Sequence, residues 1–378
     1  MPHVADIVAF LECFAPPALA EEWDNVGLLM GDRRRDVRSV VTCLTLTPDV
    51  AREAIERGAN LVVSHHPILF RAVKRLTADT AEGQMLLDLI AAGVSVYSPH
   101  TAYDSAAEGI NQQLAERLGL TEIEPLRKLP EAGDCKIVCF IPRSHLAAVQ
   151  EAVWSVGAGT IGEYSKCSFV LDGTGSFEGS EASHPAVGQA QRLEQVAEAR
   201  LEVICPERLV SEALRCLKAA HPYEEPACDV YHLASRGRQA SRESPLGAGR
   251  MGIVKSAEGS APPTLADWLA VVKTKLDVAV LPYVGELSRK VSRVAMACGS
   301  GGEFLNDAIR HSCDVLLTGE ARFHTALEAR TAGVGLVLAG HYATERPALE
   351  RLASCLTREF PGISVWASEV EGDPIQWR

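Results

Sequence analysis

Three short apolar runs in this 378-residue chain each break off into side chains that can ligate a metal. Leu61-Val62-Val63-Ser64 runs into His65-His66-Pro67. Val94-Ser95-Val96-Tyr97 runs into His100 and then Asp104. Gly335-Leu336-Val337-Leu338 runs into His341 and then Glu345. Runs this short and apolar, with helix-patterned stretches between them, read as buried strands of a mainly parallel sheet with helices on its faces. Open α/β sheets bind ligands beyond the carboxyl ends of their strands, and all three clusters sit at such ends.

The surrounding pattern supports that reading. Helical spacing covers 4–14, a strand is expected at 37–46, and Thr47-Pro48 opens a helix through 57 as N-cap and first-turn proline, with Gly58 as its stop. Helices follow at 82–92 and 107–118, the latter ended by Gly119. From residue 128 the pattern changes to strand 136–141, helix 145–156, a glycine-rich stretch 157–179, strand 200–204, helix 206–220 and strand 230–233. That alternation predicts a small α+β module of ferredoxin-like type. Residues 235–246, rich in Ser, Arg and Gly, read as a linker. The first pattern then resumes with strands at 291–297, 315–317 and 335–338. The expected organisation is one discontinuous α/β domain, 1–127 with 247–378, carrying an inserted domain at 128–234.

Composition narrows the function classes. Length fits two or three domains, and 47% hydrophobic with 23% charged residues is ordinary for a globular protein. No apolar run reaches the ~18–20 residues that span a bilayer. Met1-Pro2-His3 with Asp6 lacks the basic start and apolar centre of a signal peptide, so the expected location is the cytoplasm. A net charge of −12 argues against nucleic acid as a partner, yet an anionic small substrate remains compatible, because metals and local arginines reverse the sign inside a cleft. The eleven cysteines contain no Cys-x-x-Cys pair and read as packing residues. Cys135 and Cys139, four apart on a strand, share a face for the same reason.

The strand-end residues suit divalent metals. Imidazole nitrogens and carboxylate oxygens are the ligands of zinc, iron or manganese. His65 and His66, adjacent just past a strand, can each serve a different ion. His341 and Glu345, four apart, share one face of a helical turn. Two ions ~3.5–4 Å apart can hold and activate a water nucleophile. A single strand-end histidine is more often merely hydrogen-bonded, and a His-x-x-x-Glu pair is common on helices; the three clusters together favour metal. Glu320, with His324 four residues on, reads equally as an acid/base pair and as a helix-face hydrogen-bonded pair. Cys298-Gly299-Ser300-Gly301-Gly302-Glu303 reads as a phosphate cradle or as a tight turn. Arg71, Lys74 and Arg75 either meet an anionic substrate or are solvated.

Several stretches together carry a family resemblance: Glu22-Trp23-Asp24-Asn25-Val26-Gly27, Ser64-His65-His66-Pro67, His100 to Asp104, Thr318-Gly319-Glu320 with His324, and Gly340-His341-Tyr342-Ala343-Thr344-Glu345. They resemble the NIF-three-like family, also labelled GTP cyclohydrolase I type 2 homologues, over nearly the whole chain. Gly157 to Gly162, Tyr164 to Phe169 and His221-Pro222-Tyr223-Glu224-Glu225-Pro226 are similar to the CutA-like, PII-related insert of longer bacterial members. The resemblance implies two divalent ions per subunit held by His65, His66, Asp104, His341 and Glu345, and a toroidal homohexamer with its metal sites facing an internal cavity. The reaction it implies is hydrolytic opening of the GTP purine ring, with Glu320 and His324 as candidate proton-transfer groups. Five protein ligands over two metals leave room for water, which favours a hydrolase acting on a nucleotide or other phosphorylated small molecule. The alternative is a non-catalytic metal- or metabolite-binding regulatory or interaction protein.

Overall fold

The computed structural model describes residues 1–128, 134–181, 183, 185–233, 246–255 and 261–376. Apart from Leu246, the expected linker over 235–246 lies outside the described residues. The chain forms two compact units, Met1–Leu129 with Glu243–Arg378, and Pro130–Arg242. Among the described residues, no helix is long and apolar enough to cross a membrane.

Fifteen strands follow in chain order among the described residues: β1 Gly27–Met30, β2 Ser39–Cys43, β3 Leu61–Ser64, β4 Ser95–Ser98, β5 Leu120–Lys128, β6 Asp134–Pro142, β7 Phe169–Glu178, β8 Leu193–Pro206, β9 Cys228–His232, β10 Gly247–Val254, β11 Tyr283–Val284, β12 Arg293–Ala297, β13 Val315–Thr318, β14 Gly335–Leu338 and β15 Ser364–Ala367. The first unit contains two sheets where the sequence pattern suggested one. Their orders are β1-β4-β3-β2-β15 and β11-β14-β13-β12-β10-β5. Each has a parallel centre, β4-β3-β2-β15 and β14-β13-β12. Each is closed by antiparallel strands: β1 on the first, β11 and the β10-β5 pair on the second. Pro125 inside β5 fits this placement, since β5 pairs on one side only and a proline there removes no ladder bond the sheet needs.

Alternation along the strands explains the layering. Val40, Leu61, Val63 and Tyr97 of the first sheet share a core with Val294, Met296, Val315, Leu317 and Val337 of the second. Helices Val4–Phe14, Ile110–Arg117, Leu265–Leu276 and Pro347–Glu359 fill that layer. The neighbouring residues Val41, Cys43, Val62 and Val96 point the other way, onto helices Pro48–Glu56 and Ala81–Ala92. Ala295, Leu316 and Leu336 do the same on the far face of the second sheet. Helix starts follow local chemistry. Thr47 Oγ1 accepts the Val50 amide at 3.4 Å ahead of Pro48, and Gly93 closes helix Ala81–Ala92 at φ +68. The helix expected over 107–118 forms as Ile110–Arg117, and a separate short helix, His100–Ser105, precedes it across Ala106–Gly109.

The second unit is one antiparallel sheet, β7-β8-β6-β9. Helix Leu146–Trp154 joins β6 to β7, and helix Val210–Ala220 joins β8 to β9, giving the β-α-β-β-α-β order of split βαβ folds. Ile137, Cys139, Ile141, Leu201 and Val203 bury one sheet face against Val149, Val153, Ala213 and Leu217 of the helices. Part of the glycine-rich stretch is strand β7: a side chain at Gly175 would overlap Glu198 Oε2, so glycine lets β7 lie close to β8.

Candidate metal centre

The strand ends of the two sheets converge. His65 and His66 follow β3, and their amides continue the ladder by donating to Cys43 O at 2.9 Å and Leu44 O at 2.8 Å. His100 and Asp104 lie on the short helix after β4. His341 and Glu345 lie on helix His341–Glu345 after β14, which starts from Gly340 at φ +92. Glu345 Oε2 stands 3.0 Å from His341 Nε2, 3.1 Å from His66 Nε2 and 3.9 Å from His65 Nε2. Asp104 Oδ1 is 3.6 Å from His65 Nε2. All five expected ligands thus meet in one place, joined by His100, whose ring centroid lies 5.2 Å from that of His65.

The donor set fits a metal. His65 is fully buried, and among the described residues neither ring nitrogen has a hydrogen-bond partner. An orphaned buried imidazole is costly unless something else completes it. Ligand atoms around an ion at about 2.1 Å lie roughly 3.0–3.4 Å apart, close to the spacings around Glu345 Oε2. Two trios, His65-His66-His100 and His66-His341-Glu345, have ligand atoms within 4.8 Å of one another and share His66. Burial, reinforced by the neighbouring histidines, holds the His65 imidazole well below its usual range, so the ring is neutral, the form that ligates. Burial and then the Glu345 charge push Asp104 up to about 7. A buried Glu345 opposed to a half-buried Asp104 in this way calls for a cation between them.

Supporting contacts set the tautomers. Nδ1 of His66 is 2.7 Å from Thr45 Oγ1, Nδ1 of His100 is 2.7 Å from Asp24 Oδ1, and Nδ1 of His341 is 3.3 Å from Glu320 Oε1. With Nδ1 donating to each oxygen, Nε2 is left as the ligand atom. Burial alone would raise the Asp24 carboxyl, but His100 and Thr101 outweigh it and hold it down at about 2. His100 itself sits at φ +26, an unusual conformation for a residue with a side chain.

Other expectations resolve as follows. Glu320 precedes helix Phe323–Ala332 and contacts His341; among the described contacts it makes none with His324. Both residues are exposed. The amides of Cys298, Gly299 and Gly301 are already taken by Asn111 Oδ1, Thr344 Oγ1 and Thr318 Oγ1, so this loop has no free cradle for a phosphate at those positions. Its function is close approach: a side chain at Gly299 would overlap Glu345 Oε1. Arg71, Lys74 and Arg75 are exposed. In the second unit Cys139 Sγ faces Cys228 Sγ at 3.1 Å, and Cys135 Sγ lies 3.5 Å from His232 Nδ1. With Glu207 these last two form a further cluster of metal-ligating type. Sequence reasoning passed over His100 as a ligand although it stands at a strand end like the others. It also missed Asp24 and Thr45, whose partners are remote in sequence.

Comparison with known proteins identifies the family. The model of the Duf34/NIF3 (NGG1p interacting factor 3) family matches residues 2–374. A GTP cyclohydrolase 1 type 2 homolog of Halalkalibacterium halodurans is 34% identical over 372 residues, covering 98% of this chain and 97% of that one. The protein of the same description from Mycobacterium tuberculosis is 36% identical, covering 95% and 92%. The crystal structure of a Bacillus cereus protein related to NIF3 superposes with a TM-score of 0.78 at 33% identity, covering 100% of this chain and 99% of that one. A Staphylococcus aureus structure gives 0.72 at 30%, with the same coverage. Matched from end to end by the family model and by relatives above 30% identity, the chain belongs to the Duf34/NIF3 family.

Proposed function

We propose that this protein is a dinuclear divalent-metal hydrolase of the GTP cyclohydrolase 1 type 2 homologue kind, acting on a nucleotide or another phosphorylated small molecule. The observation that carries the reading is His65: fully buried, with neither ring nitrogen hydrogen-bonded among the described residues, inside a ring of Asp104, Glu345 and three more histidines. His65, His66, Asp104, His341 and Glu345, with His100, would hold two ions of zinc, iron or manganese type, His66 lying between the two trios. Divalent ions there would supply Lewis acidity, lowering the pKa of a water and polarising the bond under attack. The chain's own residues do the rest. Thr45, Asp24 and Glu320 orient the imidazoles. Glu320 and His324, exposed beyond the end of β13, are the proposed proton carriers. The names of the curated relatives support the GTP-directed form of the reading.

The test is metal analysis of purified full-length protein beside a hydrolysis screen over nucleotides, with a His65→Ala/Glu345→Ala double variant. Loss of both metal and turnover in the variant is expected. Metal and activity surviving the double change would refute the site. Two bound ions with no turnover of GTP or other phosphorylated compounds would leave the regulatory alternative. That alternative has one observation behind it: a cavity of about 870 Å³ in the second unit, bordered by Phe140, Phe177, Glu198, Arg200 and Tyr223, large enough for a metabolite. The kinship of that unit to CutA and PII modules, and assembly of the chain as a toroidal homohexamer, belong to the same proposal. The β-α-β-β-α-β order supports the first, and light scattering reading the mass of six chains would test the second.

A further inference from the structure

We infer that Trp23 and Phe70 form a stacking platform at the mouth of the metal centre, which receives the planar heteroaromatic ring of an anionic ligand. The inference deepens the hydrolase proposal and rests on it for the fate of the ligand, though not for its binding. Trp23 is 62% exposed and Phe70 50%, yet the two rings meet edge to face with centroids 6.0 Å apart. Both also meet His100 edge to face, at 6.2 Å and 6.5 Å. A ring stacked on the indole therefore has its edge beside His100 and the neighbouring His65.

The backbone is built to hold this exposed pair. Trp23 sits in a turn closed by the Asp24 amide donating to Glu21 O at 3.0 Å. The Asp24 side chain is fully buried and tied to His100, to the Asn25 amide, and to the amide and hydroxyl of Thr101. Asn25 Nδ2 donates to Leu69 O at 3.1 Å, and Leu69 takes φ +55 to turn the chain into Phe70. The residue two beyond one aromatic is thus fastened to the residue before the other. Exposed aromatics held so firmly are poorly explained by packing, because their faces remain in water.

Charge supplies the second half of the ligand. Arg71, Lys74 and Arg75 follow Phe70 within five residues, all exposed, and none forms an ion pair or hydrogen bond among the described residues. In a chain of net charge −12 this is a local reversal of sign. Aromatic faces beside free cations match a nucleotide-like ligand, the base on the indole and the phosphates on the basic loop. The ring, not the phosphate chain, then reaches the metal end.

Calorimetry and tryptophan fluorescence on metal-analysed full-length protein, with GTP, guanosine and inorganic tripolyphosphate as probes, test this. Trp23→Ala is expected to weaken GTP and guanosine binding by about 5- to 150-fold, the range for lost base stacking. Metal content and tripolyphosphate affinity stay as in the wild type, and Trp23→Phe restores much of the GTP affinity. Arg71→Ala/Lys74→Ala/Arg75→Ala weakens GTP and tripolyphosphate but not guanosine. The platform is refuted if Trp23→Ala binds GTP normally, loses tripolyphosphate equally, loses metal, or alters only the oligomeric state. It is refuted equally if wild-type protein of normal metal content binds neither GTP nor guanosine at millimolar concentration. Trp23-dependent binding without turnover would sink the hydrolase reading and leave the platform standing.

Discussion

Gly299→Ala probes how tightly the centre is built. Gly299 has φ +58, and a methyl carbon there would overlap Glu345 Oε1 and stand 3.1 Å from His341 Nε2. Two costs follow. Left-handed backbone costs alanine about 1–2 kcal/mol. Relief of the overlap requires the carboxylate to withdraw by about 1 Å or more to reach van der Waals contact. Glu345 Oε2 makes its contacts to His341 and His66 at 3.0 Å and 3.1 Å, so a shift of that size breaks the geometry around it. Disturbed ligand support typically lowers metal affinity about 10- to 100-fold, which removes about 1.4–2.7 kcal/mol of metal-linked stabilisation. Gly58→Ala separates the two costs, since Gly58 has φ +68 with nothing within 4 Å of the added carbon. The assay is metal stoichiometry together with thermal unfolding, with and without chelator. Gly299→Ala should lose metal and narrow the gap between the two melting curves. Gly58→Ala should lower both curves alike, by about 2–4 °C per kcal/mol. Full metal content and an unchanged gap in Gly299→Ala would refute the reasoning.

Three further outcomes are expected. Thr45→Val removes the oxygen 2.7 Å from His66 Nδ1 and should weaken metal binding about 10-fold or more while the chain stays folded, which a metal-competition titration would read. Arg250→Met should cost about 3–5 kcal/mol in urea unfolding, because Arg250 is fully buried and donates to the carbonyls of Ala106, Gly247 and Gly249; a loss under 1 kcal/mol would contradict it. Burial alone would raise the Glu53 carboxyl, but Ser368, the Glu369 amide and Trp366 outweigh it and hold it below the ordinary value. Its folded pKa is depressed, so its stabilisation is present above the unfolded value of about 4.3 and fades as pH falls through the folded one. Glu53→Gln should therefore be about 1–3 kcal/mol less stable near neutrality, with the difference closing in acid; a constant gap down to pH 2 would count against it.

What the sequence revealed of this molecule depended on the range of the signals. Strands β3, β4 and β14 are short and almost wholly buried, and His, Asp and Glu follow their ends, so both strand and candidate ligand positions are written locally. Thr47-Pro48 marks its helix for the same reason. Strand β5 carries Pro125 and alternates irregularly, because it is held only by β10, whose sequence lies beyond the second unit. The division into two sheets is likewise invisible in the strands themselves, since β2 and β12 are equally apolar; the antiparallel closure of each sheet is decided by packing on shared helices. Asp24 stands in a motif without a role of its own until the fold brings it to His100, and Gly299 reads as part of a phosphate cradle or a tight turn until Glu345 occupies the space beside it.

The candidate ligands come from both sheets of the first unit, so a metal bound there would report whether both sheets have formed. His65, His66, His100 and Asp104 follow strands of the first sheet and are made first, whereas His341 and Glu345 follow a strand of the second and are made later. The whole of the second unit must be translated between them. On the proposed reading, a chain that stalls or is cut before Glu345 would keep an incomplete half-site and hold an ion weakly. Its binding free energy would then arrive as a late seal on folding, granted only to molecules whose two sheets have met.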